Sequence, residues 1–162
     1  MSQTLNAYES KERFLAQKLF NCIPTIREYQ FSTGHVAYDT IISLKDNTTI
    51  LGEIKVRQFD VNNYSTYILQ VDKLISLCNR AKKSNFDRIY YINFFESGER
   101  NPDFIIFNLT PRIKEWQTNK PIIETKWMNA ETYKSTVNKI PKQVIMLYYQ
   151  PEFDCRGILA IN

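Results

Sequence analysis

The chain has 162 residues, 43% of them hydrophobic and 14% aromatic, with 21 Lys and Arg against 17 Asp and Glu, a net charge of +4. That length fits one domain with a sizeable core, and the mildly basic balance is compatible with a polyanionic partner. No apolar run approaches the ~18 residues of a membrane span and the polar start MSQTLNAYESKERF has no apolar signal core, so the expectation is a cytoplasmic protein with no membrane partner.

Cys22, Cys78 and Cys155 stand in no metal-ligand spacing and read as reduced thiols. His35 is the single histidine, so His-rich zinc sites are excluded and any histidine-assisted nucleophile would have to use it. Four glycines, with no GxxxxGK[ST] or GxGxxG, argue against a phosphate-cradling loop.

Residues 7 to 21 predict a helix: Tyr8, Leu15, Ala16, Leu19 and Ile23 recur at helical spacing and Pro24 stops it. Residues 27 to 32 read as a short strand. Two β-rich runs follow, 36–44 and 49–57, split by the turn residues Lys45, Asp46, Asn47 and Thr48, which predicts a hairpin. Residues 64 to 83 read as a long helix. Tyr67, Val71, Leu74, Cys78 and Ala81 form its apolar stripe, with Asp72, Lys73, Asn79, Arg80 and Lys83 opposite. RIYYINFF (88–95) and PDFIIFNL (102–109) are apolar on both faces, as central strands are. The remainder reads as a helical piece near 111–117, a strand near 121–128, a helix near 130–138 and a strand near 143–149. The order α-β-β-β-α-β-β predicts an α/β domain, a mixed β-sheet with flanking helices in which the long helix is a crossover.

Three E-x-K triplets occur: Glu9-Ser-Lys11, Glu53-Ile-Lys55 and Glu124-Thr-Lys126. The first lies in a helix, where residues two apart do not share a face. The third follows Pro102-Asp103, a literal PD…ExK, but Pro111, Pro121 and a helical piece intervene and no hairpin unites the acids. The second has Asp39 upstream on the other arm of the hairpin. Opposite residues of an antiparallel pair point to one side. A two-residue turn at Asp46-Asn47 would pair 39 with 54 and part the acids. A three-residue loop, 46–48, would pair 39 with 55 and 41 with 53 and unite Asp39, Glu53 and Lys55.

Neighbouring carboxylates raise each other's pKa unless a cation joins them. Mg²⁺ or Mn²⁺ suits such a pair, since it takes one or two carboxylates with water and phosphate. A lysine beside it can hold the attacking water and stabilise charge on phosphate. A cross-strand ion pair on a solvated sheet face is the competing reading.

Helix, hairpin with "YD…GEIKV", long helix and "RIYYINF" together resemble the PD-(D/E)xK nuclease superfamily, most closely its Holliday-junction-resolvase-like and restriction-endonuclease-like branches. The resemblance covers roughly residues 8 to 110, with 111–162 as a C-terminal extension packed on that core in a single domain, 1–162. It implies a restriction-endonuclease-like core and Mg²⁺- or Mn²⁺-dependent cleavage of DNA. It also implies metal ligation by Asp39, Glu53 and the Ile54 carbonyl, with Lys55 assisting the water. Tyr38 stands where the motif's proline would be. A first-helix glutamate near the metal matches Glu12, which lies on the face of Leu15, Ala16 and Leu19; Glu9 sits further round. A helix glutamine of the Q-x-x-x-Y type matches Gln70, although Leu74 replaces the tyrosine.

Arg112, Lys114, Lys120, Lys126, Lys134, Lys139 and Lys142, interleaved with Trp116, Trp127 and Tyr133, suit either a nucleic-acid groove or a solvated surface. Cutting two strands would call for two sites, which a homodimer supplies. Two other readings remain open: a module that kept the fold and binds nucleic acid or a protein without cutting, and a hydrolase built on His35.

Overall fold

The computed structural model describes residues 7–34, 36–98, 100–129 and 138–161. Among these, helix α1 (Ala7–Asn21) is followed by strands β1 (Ile26–Phe31), β2 (Thr40–Leu44) and β3 (Thr49–Arg57). A single 3-10 turn (Val61–Asn63) leads to β4 (Tyr67–Gln70), helix α2 (Val71–Ser84), β5 (Arg88–Phe95), β6 (Asp103–Asn108) and helix α3 (Leu109–Trp116). Strands β7 (Ile123–Asn129), β8 (Lys139–Leu147) and β9 (Cys155–Ile158) complete it.

The main sheet is mixed and has six strands in the order β1-β2-β3-β5-β6-β9; a second sheet has three, β4-β8-β7. Among the described strands only β3 and β5 pair in parallel, as a crossover through α2 requires. Alternation along β3 feeds two cores. Ile50 and Ile54 join Leu15, Ala16, Leu19 and Phe20 of α1 on one face. Leu51 joins Leu74 and Leu77 of α2, Leu109 of α3 and Leu69 and Ile145 of the small sheet on the other. The main sheet is thus sandwiched between α1 and a layer of α2, α3 and the small sheet. Burial of these apolar side chains, at about 25 cal/mol per Å², is the main favourable term holding the layers together.

Local chemistry sets the boundaries. The hairpin loop is Lys45-Asp46-Asn47, one residue earlier than the expected 46–48: Leu44 N–H bonds the Thr48 carbonyl at 2.9 Å, and Asn47 takes the left-handed conformation at φ 70°. A short turn ending in a left-handed residue is a common three-residue hairpin loop, and asparagine tolerates it. The Asp46 carboxylate accepts the Thr48 N–H at 2.9 Å and fixes the turn further. Helix α2 ends at Asn85, also left-handed at φ 54°, whose N–H caps the Ala81 carbonyl.

Several expectations are corrected. The long helix begins at Val71, not 64; Tyr67 to Gln70 form β4, and Tyr67 is buried as a strand residue. The β-branched and aromatic stretch Tyr67-Ile68-Leu69 pairs with β8, which competes successfully with the helical pattern. Gln70 is therefore not on the flank of a helix stripe: it is the last residue of β4 and the N-cap of α2. The strand expected over 36–44 is confined to Thr40–Leu44. Strand β8 starts at Lys139, earlier than 143, and β9 was not foreseen. Tyr8 is 52% exposed, so the buried stripe of α1 begins only at Leu15. The helix expected near 130–138 and His35 fall on residues outside those described, save 138 itself. No described helix is long and apolar enough to cross a membrane.

Candidate active site

Strand β3 outlasts its neighbour. Its first residues pair with β2, Thr49 to Gly52 opposite Ser43 to Thr40, and the rest run on beside β5 alone. Beyond Gly52 the β2-side edge of β3 has no ladder partner among the described residues. Asp39 stands just before β2, and the register brings it opposite Glu53. Its N–H bonds the Gly52 carbonyl at 2.9 Å, and its Oδ2 accepts the Ile54 N–H at 2.7 Å. The Asp39 carboxylate thus takes the place of the missing strand at Ile54. The next N–H on that edge, at Val56, faces the Glu12 carboxylate and favours its charged form. The N–H and C=O of a strand residue point to the same edge, so the Ile54 carbonyl faces the same opening.

Gly52 permits this approach. A Cβ there would lie 2.6 Å from the Thr40 Cγ2. Thr40 is itself buried and donates to the Gln30 carbonyl at 3.0 Å, so it has little room to retreat.

Glu53 is fully buried, and among the described residues neither of its carboxylate oxygens has a hydrogen-bond partner. Two ammonium groups approach Oε1 at ion-pair distance without hydrogen-bond alignment: Lys55 Nζ at 3.2 Å and Lys73 Nζ at 3.1 Å. Lys55 also lies 3.8 Å from Glu12 Oε1. Asp39, Glu12, Glu53 and Lys55 therefore share one pocket at the open edge of β3, on the sheet face that Leu51 turns toward α2, which Glu12 reaches from α1. Lys73, in the first turn of α2, adds a second cation. The sequence periodicity sets Lys73 opposite the apolar stripe; in the structure it is half-buried in the first turn of α2, where its long side chain reaches Glu53.

Electrostatics follow from burial. Desolvation, reinforced by Asp39, pushes Glu53 up to about 7 against the pull of Lys55 and Lys73. Desolvation likewise lifts Glu12 to about 7, opposed by Lys55. Burial works against the charge on Lys55, but Glu53, Glu12 and Asp39 outweigh it and hold its pKa above the ordinary lysine value. Asp39 accepts a hydrogen bond from Glu53 only when Glu53 carries a proton. The pocket therefore carries an excess of carboxylate that protons or another cation must balance.

Deeper on the same side of β3, Arg57 bonds the Asn93 Oδ1 at 3.2 Å, the Tyr91 hydroxyl at 2.7 Å and the Ile68 carbonyl at 3.1 Å. This network ties the end of β3 to β5 and β4. Arg57 claims the Asn93 oxygen, so Nδ2 is left buried without a partner.

Does the pocket suit a divalent cation? Among the described residues no three His, Cys, Asp or Glu side chains converge closely enough to hold an ion by themselves. Mg²⁺ does not require that: it is commonly bound by one or two carboxylates and keeps several waters. The orphaned oxygens of Glu53, the second oxygen of Asp39 and the Ile54 carbonyl form an all-oxygen donor set of that kind, so the residues fit the ion.

The other candidates are not brought together with this group. Glu124 and Lys126 pair with each other at 2.8 Å on the exposed strand β7, while Asp103 lies on β6 with Arg100 at 3.1 Å. Glu9 stands close enough to add slightly to the rise of Glu12. Gln70, at the foot of α2, makes no side-chain capping bond. An apolar depression of about 540 Å³, lined by Phe20, Ile42, Ile50 and Ile106, sits toward the other end of the main sheet and includes none of these acids. No family model matches this chain, and no curated protein or solved structure does either.

Proposed function

We propose that the chain is a metal-dependent DNA endonuclease of the PD-(D/E)xK type, with a restriction-endonuclease-like core. The observation that carries this reading is the convergence of Asp39, Glu53 and Glu12 on Lys55 at the unpaired edge of β3, with Glu53 buried and without a hydrogen-bond partner.

Asp39, Glu53 and the Ile54 carbonyl would hold Mg²⁺ or Mn²⁺. Such an ion, when bound, lowers the pKa of its water and neutralises phosphate charge. The protein's own groups do the rest. The Ile54 N–H fixes the Asp39 carboxylate, so it needs no reorganisation to act as a ligand. Glu12, reaching over from α1, and Glu53, beside it on β3, both pair with Lys55 and orient it. Lys55 stays protonated and supplies a fixed positive charge where the attacking oxygen and the phosphate would meet. Cleavage of both strands of a duplex would take two copies of the chain.

The competing reading is a nuclease-fold module that binds nucleic acid or a protein without cutting. It draws on the two ammonium groups already balancing Glu53. One experiment separates them: incubation of labelled duplex, single-stranded and four-way-junction DNA with Mg²⁺, Mn²⁺ or EDTA. The nuclease reading expects divalent-dependent cleavage, lost in Asp39→Ala and Glu53→Ala. It expects Lys55→Ala to lose about 10²-fold in turnover, the scale of one electrostatic stabiliser. Lys126→Ala, at the other triplet, should cleave normally. Activity surviving Glu53→Ala, or no cleavage of any form, would overturn the nuclease reading in favour of the binding module.

A further inference from the structure

Lys73 is not part of the E-x-K triplet, yet its ammonium is as close to Glu53 as that of Lys55. The distances to the same oxygen, Oε1, are 3.1 Å and 3.2 Å. The two lysines differ in what else holds them. Lys55 projects from β3 and is also paired with Glu12. Lys73 rises from the first turn of α2, and Glu53 is its one ion-pair partner among the described residues. Its side chain is 34% exposed, so it has a path to solvent that the fully buried Glu53 lacks. A charge that pairs with a buried carboxylate, makes no hydrogen bond to it and can leave is a removable counter-ion.

Accepting the nuclease reading, we propose that Lys73 is a tethered counter-ion, which balances Glu53 in the metal-free protein and is exchanged for the divalent cation. Three carboxylates and two ammonium groups meet in the pocket. Without Lys73, the metal-free protein would bury Glu53 against Asp39 and Glu12 with Lys55 alone to offset them. With both lysines retained, a dipositive ion at Glu53 and Asp39 would face two like charges, which is unfavourable. Exchange resolves the conflict: Lys55, held on both sides, stays, while Lys73 swings to solvent. Lys73 and the cation therefore compete for one oxygen, and their effects on each other are reciprocal. Lys73 is a positioning residue, acting through Glu53.

The test measures melting temperature and Mn²⁺ binding by calorimetry on the wild type, Lys73→Met, Lys73→Gln and Lys82→Met, a surface control on the same helix. In EDTA, Lys73→Met should melt below wild type, whereas Lys82→Met should not. With saturating Mn²⁺ the Lys73→Met protein should recover, so its metal-induced rise exceeds that of wild type. Its Mn²⁺ dissociation constant should be about 10-fold lower than wild type, within the usual range for coupled sites. Lys73→Gln, which keeps a donor and loses the charge, should shift the same way by less and serves if the Met variant does not fold. Equal Mn²⁺ affinity and equal metal-induced rise in the wild type and both Lys73 variants would overturn the exchange while leaving the metal site standing. Failure of the wild type to bind Mn²⁺ at all would overturn the metal site itself, and the exchange with it.

Discussion

Burial holds Glu12 and Glu53 up near pKa 7, well above the 4.5 of an ordinary glutamate. Between those two values the folded metal-free protein binds protons that the unfolded chain has released. Stability in EDTA should therefore fall as pH rises from about 4.5 to 7 and level off beyond, by roughly 2–5 kcal/mol for the pair. Asp46, Asp60 and Asp87 are shifted the other way, each chiefly by a backbone N–H, and act below that window. Urea denaturation at pH 5 and pH 7.5 measures the difference, and Glu53→Gln, which has no proton to lose, should shrink it by about half. A protein more stable at pH 7.5 than at pH 5 would show that these carboxyls are ionised throughout.

At the level of elements, the hairpin of β2 and β3 positions the acids, and Gly52 sets how closely its arms meet. Gly52→Ala would drive a methyl into Thr40. Overpacking of that kind typically costs 1–3 kcal/mol, and here it should also move Asp39, which hydrogen-bonds Gly52 and Ile54. We expect lowered stability in urea together with weakened Mn²⁺ binding. At the end of α2, Asn85→Gly should be neutral or slightly stabilising. Asn85→Ala should cost about 1 kcal/mol, because alanine resists the left-handed conformation that glycine takes freely. Thermal melts of the two variants check this.

Much of the hairpin could be read from sequence. The β-rich run 49–57 was bounded by turn residues, and it coincides with β3. The triplet then followed from period-two alternation, because Glu53 and Lys55 must share a face. What could not be read depended on partners distant in the chain. Tyr67 to Gln70 continue a helical apolar pattern, and only pairing with β8 makes them a strand. Lys73 is hidden for a like reason: periodicity sets it opposite the apolar stripe, and only the fold brings the first turn of α2 within reach of Glu53. Strand β9 is four residues long and largely exposed, so its composition gave no signal.

The whole molecule is tied together near its C-terminus by a buried ion pair. Arg112 of α3 donates to both oxygens of Asp154, at 2.7 and 2.6 Å, and to the carbonyls of Asn108 and Tyr148. Asp154 also accepts the N–H groups of Asn108 and Gln150. This cluster locks the turn before β9 against the junction of β6 and α3. Arg112→Met would leave a buried carboxylate with its charge partner gone, a loss typically of 3–5 kcal/mol. Adding Asp154→Asn should recover part of it. Chemical denaturation of the single and double variants measures the coupling; simple additivity would mean the pair is not the tie.

Pairing across long chain separations also sets a timetable. During synthesis β4 emerges early, but its ladder partner β8 lies roughly 75 residues further on, a wait of about 4–15 s at ribosomal speeds of 5–20 residues per second. One edge strand of the main sheet, β9, arrives later still. For those seconds Tyr67, Ile68 and Leu69 present an apolar edge with no ladder partner. The nascent chain is most vulnerable to aggregation in that interval, before the polypeptide beyond residue 140 has left the ribosome.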